Sequence, residues 1–216
     1  MGARDADKGR RAAAELASEG LDAEAVVLDV ESASSVEAAA QQVVDGDGRL
    51  DILVNNAGIL PEATAPGATK PLDLSLFRRT FETNVFGVVA VTQNFLPLLR
   101  RSPAGRIVNV STTMGSLADQ SDPSSPYYGL IVPAYQTSKA ALNGLTVALA
   151  KSLADTPIKV NSVCPGWAQT DLGGPDNRAA APLSAADAAR MVVTMACLPD
   201  DGPSGQFVDR NGTVPW

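Results

Sequence analysis

Short apolar runs alternate with helical stretches along the chain, and this alternation constrains the fold more than any other feature of the sequence. Asp5 to Glu19, rich in Ala, Arg and Glu, reads as a helix stopped by Gly20. Ala25–Val30 follows as a short buried strand, and a second helix, capped near Ser32 or Ser34, runs to about Asp45. Asp51–Asn55 is a near-continuous apolar strand of the kind covered on both faces. Leu72 to Arg101 predicts one long helix, with Pro97 in its last turns as the place for a kink or an early stop. Arg106–Ser111 is the next strand, followed by a Ser/Pro/Asp-rich loop from Ala118 to Pro126. Helix Pro133–Ala154 leads to strand Lys159–Cys164, and helix Ser184–Leu198 leads to a last strand around Gln206–Asp209. Strands and helices alternating at this spacing form βαβ units. The expected fold class is therefore α/β, a doubly wound parallel sheet. No internal repeat occurs and the one linker-like segment is Gly173–Pro182, so residues 1–216 are read as a single domain.

Composition narrows the function classes. A chain that is 45% hydrophobic and 19% charged is neither disordered nor membrane-embedded in composition. Its apolar stretches stop well short of the ~20 residues of a membrane helix, and no signal-peptide pattern is visible. Two cysteines, Cys164 and Cys197, fit a reducing compartment, so a cytoplasmic protein with no membrane contact is expected. Net charge is −7 and no basic cluster exceeds Arg10-Arg11 or Arg100-Arg101, which argues against a nucleic-acid partner. The chain has no histidine. A Ser-His-Asp or Cys-His mechanism and a histidine-ligated metal are thereby excluded, and acid–base chemistry falls to Tyr, Lys, Asp, Glu or Cys.

Four short segments could carry such chemistry. In Tyr135-Gln136-Thr137-Ser138-Lys139, residues four apart on a helix share one face about 6 Å apart. The ammonium of Lys139 can then favour the phenolate of Tyr135. Alone, this spacing equally describes two amphipathic residues on a helix surface. Asn55-Asn56-Ala57-Gly58 closes an apolar strand where open α/β sheets bind ligands, or forms an ordinary Asn-rich turn. Ser111-Thr112-Thr113 offers hydroxyls at the next strand end, or a cap or ST-turn. Cys164-Pro165-Gly166-Trp167-Ala168-Gln169-Thr170 follows a further strand and reads otherwise as a tight turn with a structural cysteine.

Taken in order at successive strand ends, these segments resemble the short-chain dehydrogenase/reductase family, across effectively the whole chain. The resemblance implies a Rossmann-like fold in which the Asn55–Gly58 turn stabilises the central sheet, with Asn56, Ala57 and Gly58 beside the cofactor. It implies Tyr135 as catalytic acid/base, and Lys139 as the lysine that activates it and holds the nicotinamide ribose. Asn84, in Thr83-Asn84-Val85-Phe86-Gly87, matches the active-site asparagine and would hold a proton-relay water. Pro165, Gly166 and Thr170 match the nicotinamide-end turn, and Asp29 the aspartate that contacts adenine. Arg4 stands where an arginine would favour NADPH by pairing with its 2′-phosphate. The closing Asp209-Arg210 to Val214-Pro215-Trp216 and the long Thr112–Tyr135 interval resemble the carbonyl-reductase-like branch. NADP(H)-dependent reduction of a small ketone or aldehyde is thus implied, in a homo-oligomer joined through the helices at Leu72–Arg101 and Pro133–Ala154, with no metal.

Two departures from the family pattern carry expectations of their own. Thr112 occupies the catalytic serine's position; it keeps the hydroxyl, but its β-methyl restricts χ1 and crowds the pocket. Ser111 is the alternative holder of that role, pointing elsewhere by strand alternation. The second departure is larger. The first strand, the glycine-rich phosphate loop, the first helix and most of the second strand have no counterpart, a loss of roughly 30 residues. In the usual order 3-2-1-4-5-6, strands one and two separate Ala25–Val30 from Ile52–Asn55. A truncated chain is therefore expected in which the Ala25–Val30 strand relocates to pair with Ile52–Asn55, another chain fills the gap, or the gene product is incomplete. NADPH binding is expected to be weak or absent. The alternative reading is a cofactor-free relic that binds or scaffolds, or that catalyses non-redox acid/base chemistry.

Overall fold

The computed structural model describes residues 1–64 and 72–216. Strand β1 (Gly2–Ala3) leads into helix α1 (Ala6–Ser18), whose cap is Asp5: its carboxylate accepts from the backbone N–H groups of Asp7 and Lys8. Strand β2 (Val26–Val27) and helix α2 (Ala33–Asp45) follow, the latter capped by Ser32. Then come β3 (Ile52–Asn55), α3 (Leu74–Phe81), α4 (Gly87–Leu99) and β4 (Arg106–Val110). Short α5 (Leu117–Ser121) precedes the long α6 (Pro133–Ser152) and β5 (Lys159–Val163). The chain closes with α7 (Gly174–Ala180), α8 (Ala185–Ala196), β6 (Phe207–Asp209) and β7 (Gly212–Thr213).

Five strands pair in the order β3-β4-β5-β6-β7, parallel except for the last. Helices cover the sheet on both sides, as a doubly wound α/β fold requires. On one side Val36 and Ala39 of α2 and Val91, Phe95, Leu98 and Leu99 of α4 pack against Leu53, Ile107 and Val160. On the other, Met195 and Ala196 of α8 close over Val108 and Val163. A polar seam runs through this apolar interior. The Asn55 amide donates to Asn109 Oδ1 at 2.8 Å and to Thr92 Oγ1 at 3.2 Å. The Asn109 amide donates in turn to Thr146 Oγ1 at 2.8 Å, and Thr146 meets Ser162 at 2.8 Å. Every member of the seam therefore has a partner, and the seam ties β3, β4, β5, α4 and α6 into one rigid block.

Several expectations are corrected. The Ala25–Val30 strand shortens to β2 and does not relocate to Ile52–Asn55. It pairs in parallel with β1 instead, Gly2 opposite Val26 and Ala3 opposite Val27, as a separate two-stranded sheet. The backbone N–H of Val26 donates to Met1 O at 2.8 Å and that of Leu28 to Ala3 O at 2.9 Å, so Met1–Ala3 suffices to hold β2. Val30 beyond β2 is seated on α4, so tightly that a Cβ on Gly87 would lie 2.8 Å from its Cγ2. That contact keeps β2 from crossing to β3.

The long helix expected over Leu72–Arg101 is broken. α3 and α4 are separated by a π turn over Glu82–Phe86, and Pro97 lies inside α4, two residues before its end. Strand β3 is not covered equally on both faces: Leu53 and Asn55 are buried, whereas Ile52 and Val54 are 39% and 38% exposed. The linker-like Gly173–Pro182 folds largely into α7.

Between the two sheets lies a cleft of 380 Å³, bounded by Gly2, Ala3 and Arg4 on one side and by Leu53–Ile59 on the other. The carboxyl end of β3 opens into this cleft, at the kind of strand end where open α/β sheets bind ligands.

Candidate active site

Helix α6 begins without a local cap: Val132 has no side-chain acceptor and Pro133 at the first helical position has no N–H to satisfy. Its first turns carry Tyr135 and Lys139, one above the other as i and i+4 spacing dictates. Both are buried, at 5% and 4% exposure. Lys139 Nζ lies 5.8 Å from the Tyr135 ring centroid and donates to the carbonyl of Val110 at the end of β4, at 2.8 Å. The helix can come this close because Gly115, in the turn Thr113–Gly115, has no side chain: a Cβ there would lie 2.8 Å from Lys139 Cβ.

Burial dominates the electrostatics of the pair. It pushes the Tyr135 phenol above its ordinary range, with a smaller push from the nearby Cys164, and pulls the Lys139 ammonium down to about 8. The expectation that Lys139 by itself favours phenolate is therefore corrected. In this arrangement the cost of desolvating a phenolate outweighs the attraction of the lysine.

Asn84 sits in the π turn before α4 and is fully buried. Its Nδ2 donates to Ile59 O and to Ser138 Oγ, each at 3.0 Å, and its Oδ1 accepts from the Ile59 N–H at 2.8 Å. The Ser138 hydroxyl donates back to Tyr135 O at 2.7 Å. A π turn widens the helix by one residue, and such insertions often mark functional positions. Here it aims Asn84 at the Gly58–Ile59 turn. The open side of Gly58 faces the same groups: a Cβ there would stand 3.5 Å from both Lys139 Nζ and Asn84 Oδ1. Asn56, Ala57, Gly58 and Arg4 line the cleft.

Thr112 is half-buried at the end of β4, where its hydroxyl accepts from the Met114 N–H at 3.3 Å and so caps the Thr113–Gly115 turn. Ser111 is buried, and its hydroxyl has no hydrogen-bond partner among the described residues. Pro165 and the exposed Gly166, at φ +86°, turn the chain after β5, and Thr170 lies exposed beyond them. Asp29 is not among the residues that line the cleft. Its carboxylate accepts locally from the Glu31 N–H at 3.1 Å.

Two contributors carry no signal in the sequence motifs. Glu62, 73 residues before Tyr135, accepts from the Ala134 N–H at 3.0 Å and the Tyr135 N–H at 2.8 Å. The uncapped Val132-Pro133 start was the one hint that a distant acceptor was needed. Ser138, inside the Tyr135–Lys139 segment, links Asn84 to the Tyr135 backbone.

The residues fit the two ends of a dinucleotide better than its middle. Lys139 and the Asn56–Gly58 turn can meet a nicotinamide ribose, and Arg4 can meet an adenosine 2′-phosphate. A pyrophosphate is usually received by backbone N–H groups at a helix N-terminus. The helix starting at this cleft, α1, has those donors occupied by Asp5. Among the described residues no cluster of acidic or cysteine side chains could hold a metal, and no helix is long and apolar enough to cross a membrane.

Comparison with known proteins identifies the family. The family model for short chain dehydrogenase matches residues 1–181. The short-chain dehydrogenase AnuI of Penicillium roqueforti is 38% identical over 196 residues, covering 88% of this chain and 74% of that protein. Mouse carbonyl reductase [NADPH] 1 is 30% identical over an alignment of 261 positions, spanning 100% of this chain and 88% of that protein. The structure of NADPH-bound carbonyl reductase from chicken fatty liver superposes with a TM-score of 0.79 at 27% identity, over 99% of this chain and 85% of that one. The chain belongs to the short-chain dehydrogenase family of oxidoreductases, with carbonyl reductases among its relatives.

Proposed function

We propose that this protein reduces a small ketone or aldehyde with NADP(H), using Tyr135 as the proton donor. One observation carries the reading: a buried tyrosine and lysine lie one helical turn apart, the lysine bonded to the end of β4, and the open side of Gly58 faces Lys139 Nζ and Asn84 Oδ1. The NADPH in the names of the mouse and chicken relatives, and Arg4 in the cleft, support the phosphorylated cofactor.

Lys139 and the Asn56–Gly58 turn would hold a nicotinamide ribose, and the nicotinamide when bound would supply the hydride that the carbonyl carbon takes up. Tyr135 gives its phenolic proton to the carbonyl oxygen, and the resulting phenolate is held by the Lys139 ammonium, which persists below about pH 8. Thr112 donates its hydroxyl hydrogen to the same oxygen and orients it. Asn84, with its amide engaged by Ile59 and Ser138, holds the Gly58–Ile59 turn against α6 and keeps the relay route beside Lys139 in register. Pro165, Gly166 and Thr170 would border the nicotinamide end, and Asp29 the adenine end. We place the chain as one domain over residues 1–216 and expect a homo-oligomer through α4 and α6. Its two free cysteines suit a reducing, cytoplasmic setting.

Affinity for the cofactor is expected to be low, because the phosphates between the two ends meet no preorganised donors among the described residues. A fluorescence or calorimetric titration with NADPH tests this: micromolar affinity contradicts it. No binding even at millimolar NADPH supports the second reading, a cofactor-free binding or scaffolding protein or a non-redox acid/base catalyst. The occupied N-terminus of α1 is the observation in favour of that reading.

Thr112 gives a graded test of the catalytic reading. Thr112→Ser should preserve or raise carbonyl reduction, since it keeps the hydroxyl and removes a methyl. Thr112→Ala should lower it by roughly 10-fold or more through loss of a hydrogen bond to the developing negative charge. Equal steady-state rates for all three proteins would remove Thr112 from the mechanism.

A further inference from the structure

We propose that Glu62 is a positioning residue for Tyr135, acting as the missing N-terminal cap of the catalytic helix; the proposal rests on the reading of Tyr135 as proton donor. A helix start exposes orphan N–H groups, normally met by an Asn, Asp, Ser or Thr immediately before it. α6 has Val132 in that place, with no acceptor, and Pro133 next, with no N–H. The unmet donors are therefore those of Ala134 and Tyr135. The Glu62 carboxylate spans both, one oxygen to each, at 3.0 and 2.8 Å. One of the two donors belongs to the tyrosine itself.

This placement matters because of where the helix turn is otherwise held. Below Tyr135, Lys139 is pinned to the Val110 carbonyl and Ser138 to Asn84. Above it, Val132 N–H donates to Gln136 Oε1, and the Gln136 amide donates to Leu130 O and, at 2.6 Å, to Gln120 Oε1 of α5, one residue past Tyr135. Glu62 joins the first turn to the body of the protein directly at Tyr135. It stands in the short turn Pro61–Ala63, which continues from the Asn55–Gly58 strand end and the Ile59 that Asn84 grips. The turn that borders the cofactor cleft and the turn that carries the phenol are thus fastened by a charged, two-point hydrogen bond, a stronger and more directional link than a neutral contact. Lost, it would let the first turn of α6 fray, and a displacement of the phenol by about 1 Å is enough to slow proton transfer substantially.

The test uses Glu62→Ala and the near-isosteric Glu62→Gln, alone and combined with Tyr135→Phe, with p-nitrobenzaldehyde as substrate and NADPH at saturating, millimolar concentration. Gln can accept from only one of the two N–H groups and turns its own amide donor toward the other, so it should not rescue. Both single variants are expected to lower kcat about tenfold with KM changed less than about twofold. In the Tyr135→Phe background neither should lower the residual rate further, because the effect passes through the phenol. Hydrogen exchange provides a readout independent of turnover: the Ala134 and Tyr135 amides should be protected in the wild type, both should lose that protection in Glu62→Ala, and at least one should lose it in Glu62→Gln. Unchanged kcat, an equal further loss in the Tyr135→Phe background, or unprotected wild-type amides would each overturn the role of Glu62 alone. Full activity of Tyr135→Phe, or no turnover by the wild type, would instead overturn the reading of Tyr135, and this inference with it.

Discussion

Replacing Tyr135 with phenylalanine is expected to lower carbonyl reduction by at least ~10²-fold while leaving the fold intact. The substitution removes one oxygen and keeps the ring, so a side chain that is 5% exposed still fills the same space. Among the described residues no other acid stands ready to replace it. The chain has no histidine, Lys139 is committed to the Val110 carbonyl, and Thr112 has far too weak an acid to substitute. Cys164 is buried, and its thiol is turned to the Thr113 hydroxyl at 3.9 Å. Single-turnover rates with saturating cofactor, together with a thermal melt, separate loss of chemistry from loss of structure. A variant that folds and retains near-wild-type turnover would show that the proton comes from elsewhere.

The second large effect is at Lys139. A lysine that is 4% exposed costs stability while it is charged, which is why its ionisation falls from the usual 10.5 to about 8. The sign follows from proton counting. Above about pH 8 the folded protein has released this proton while the unfolded chain keeps it up to about 10.5, so the unfolded state binds more protons and unfolding becomes harder as pH rises. Lys139→Met removes the titration. Relative to that variant, the wild type should gain roughly 1.4 kcal/mol between about pH 7 and pH 9, read by urea denaturation. Tyr135 is common to both proteins, so its own raised ionisation cancels in the comparison. Turnover should nevertheless fall by at least ~10²-fold in Lys139→Met, since the phenolate loses the cation beside it. A stability difference that does not change with pH would mean that Lys139 keeps its charge throughout. The pair illustrates a trade seen at many active sites, in which a group that function needs is one the fold would be more stable without.

Legibility in the sequence followed the range of the forces involved. Tyr135 and Lys139 could be placed together because four residues of α-helix determine their relative position whatever surrounds them. The strands at β3, β4 and β5 were readable because short runs of β-branched and aliphatic residues, too short for a helix and bounded by polar or turn residues, suit a sheet. The break between α3 and α4 was not, since a π turn inserts one residue into a pattern whose apolar spacing remains helical. Asp29 and Thr170 matched motifs, yet Asp29 turns its carboxylate to its own loop and Thr170 lies exposed.

By itself, the sequence determined the class of fold, the order of its elements, the exclusion of histidine chemistry and the identity of the central tyrosine and lysine. All of these depend on composition or on contacts a few residues apart. Only the tertiary structure decided that β2 stays with β1 across a cleft, because Val30 has to seat on Gly87, a residue far along the chain. It alone decided that burial, rather than the neighbouring charge, governs the ionisation of Tyr135 and Lys139, since desolvation depends on everything packed around them. And it alone brought Glu62 to the start of α6, where two orphan N–H groups could be satisfied by no residue nearby in sequence.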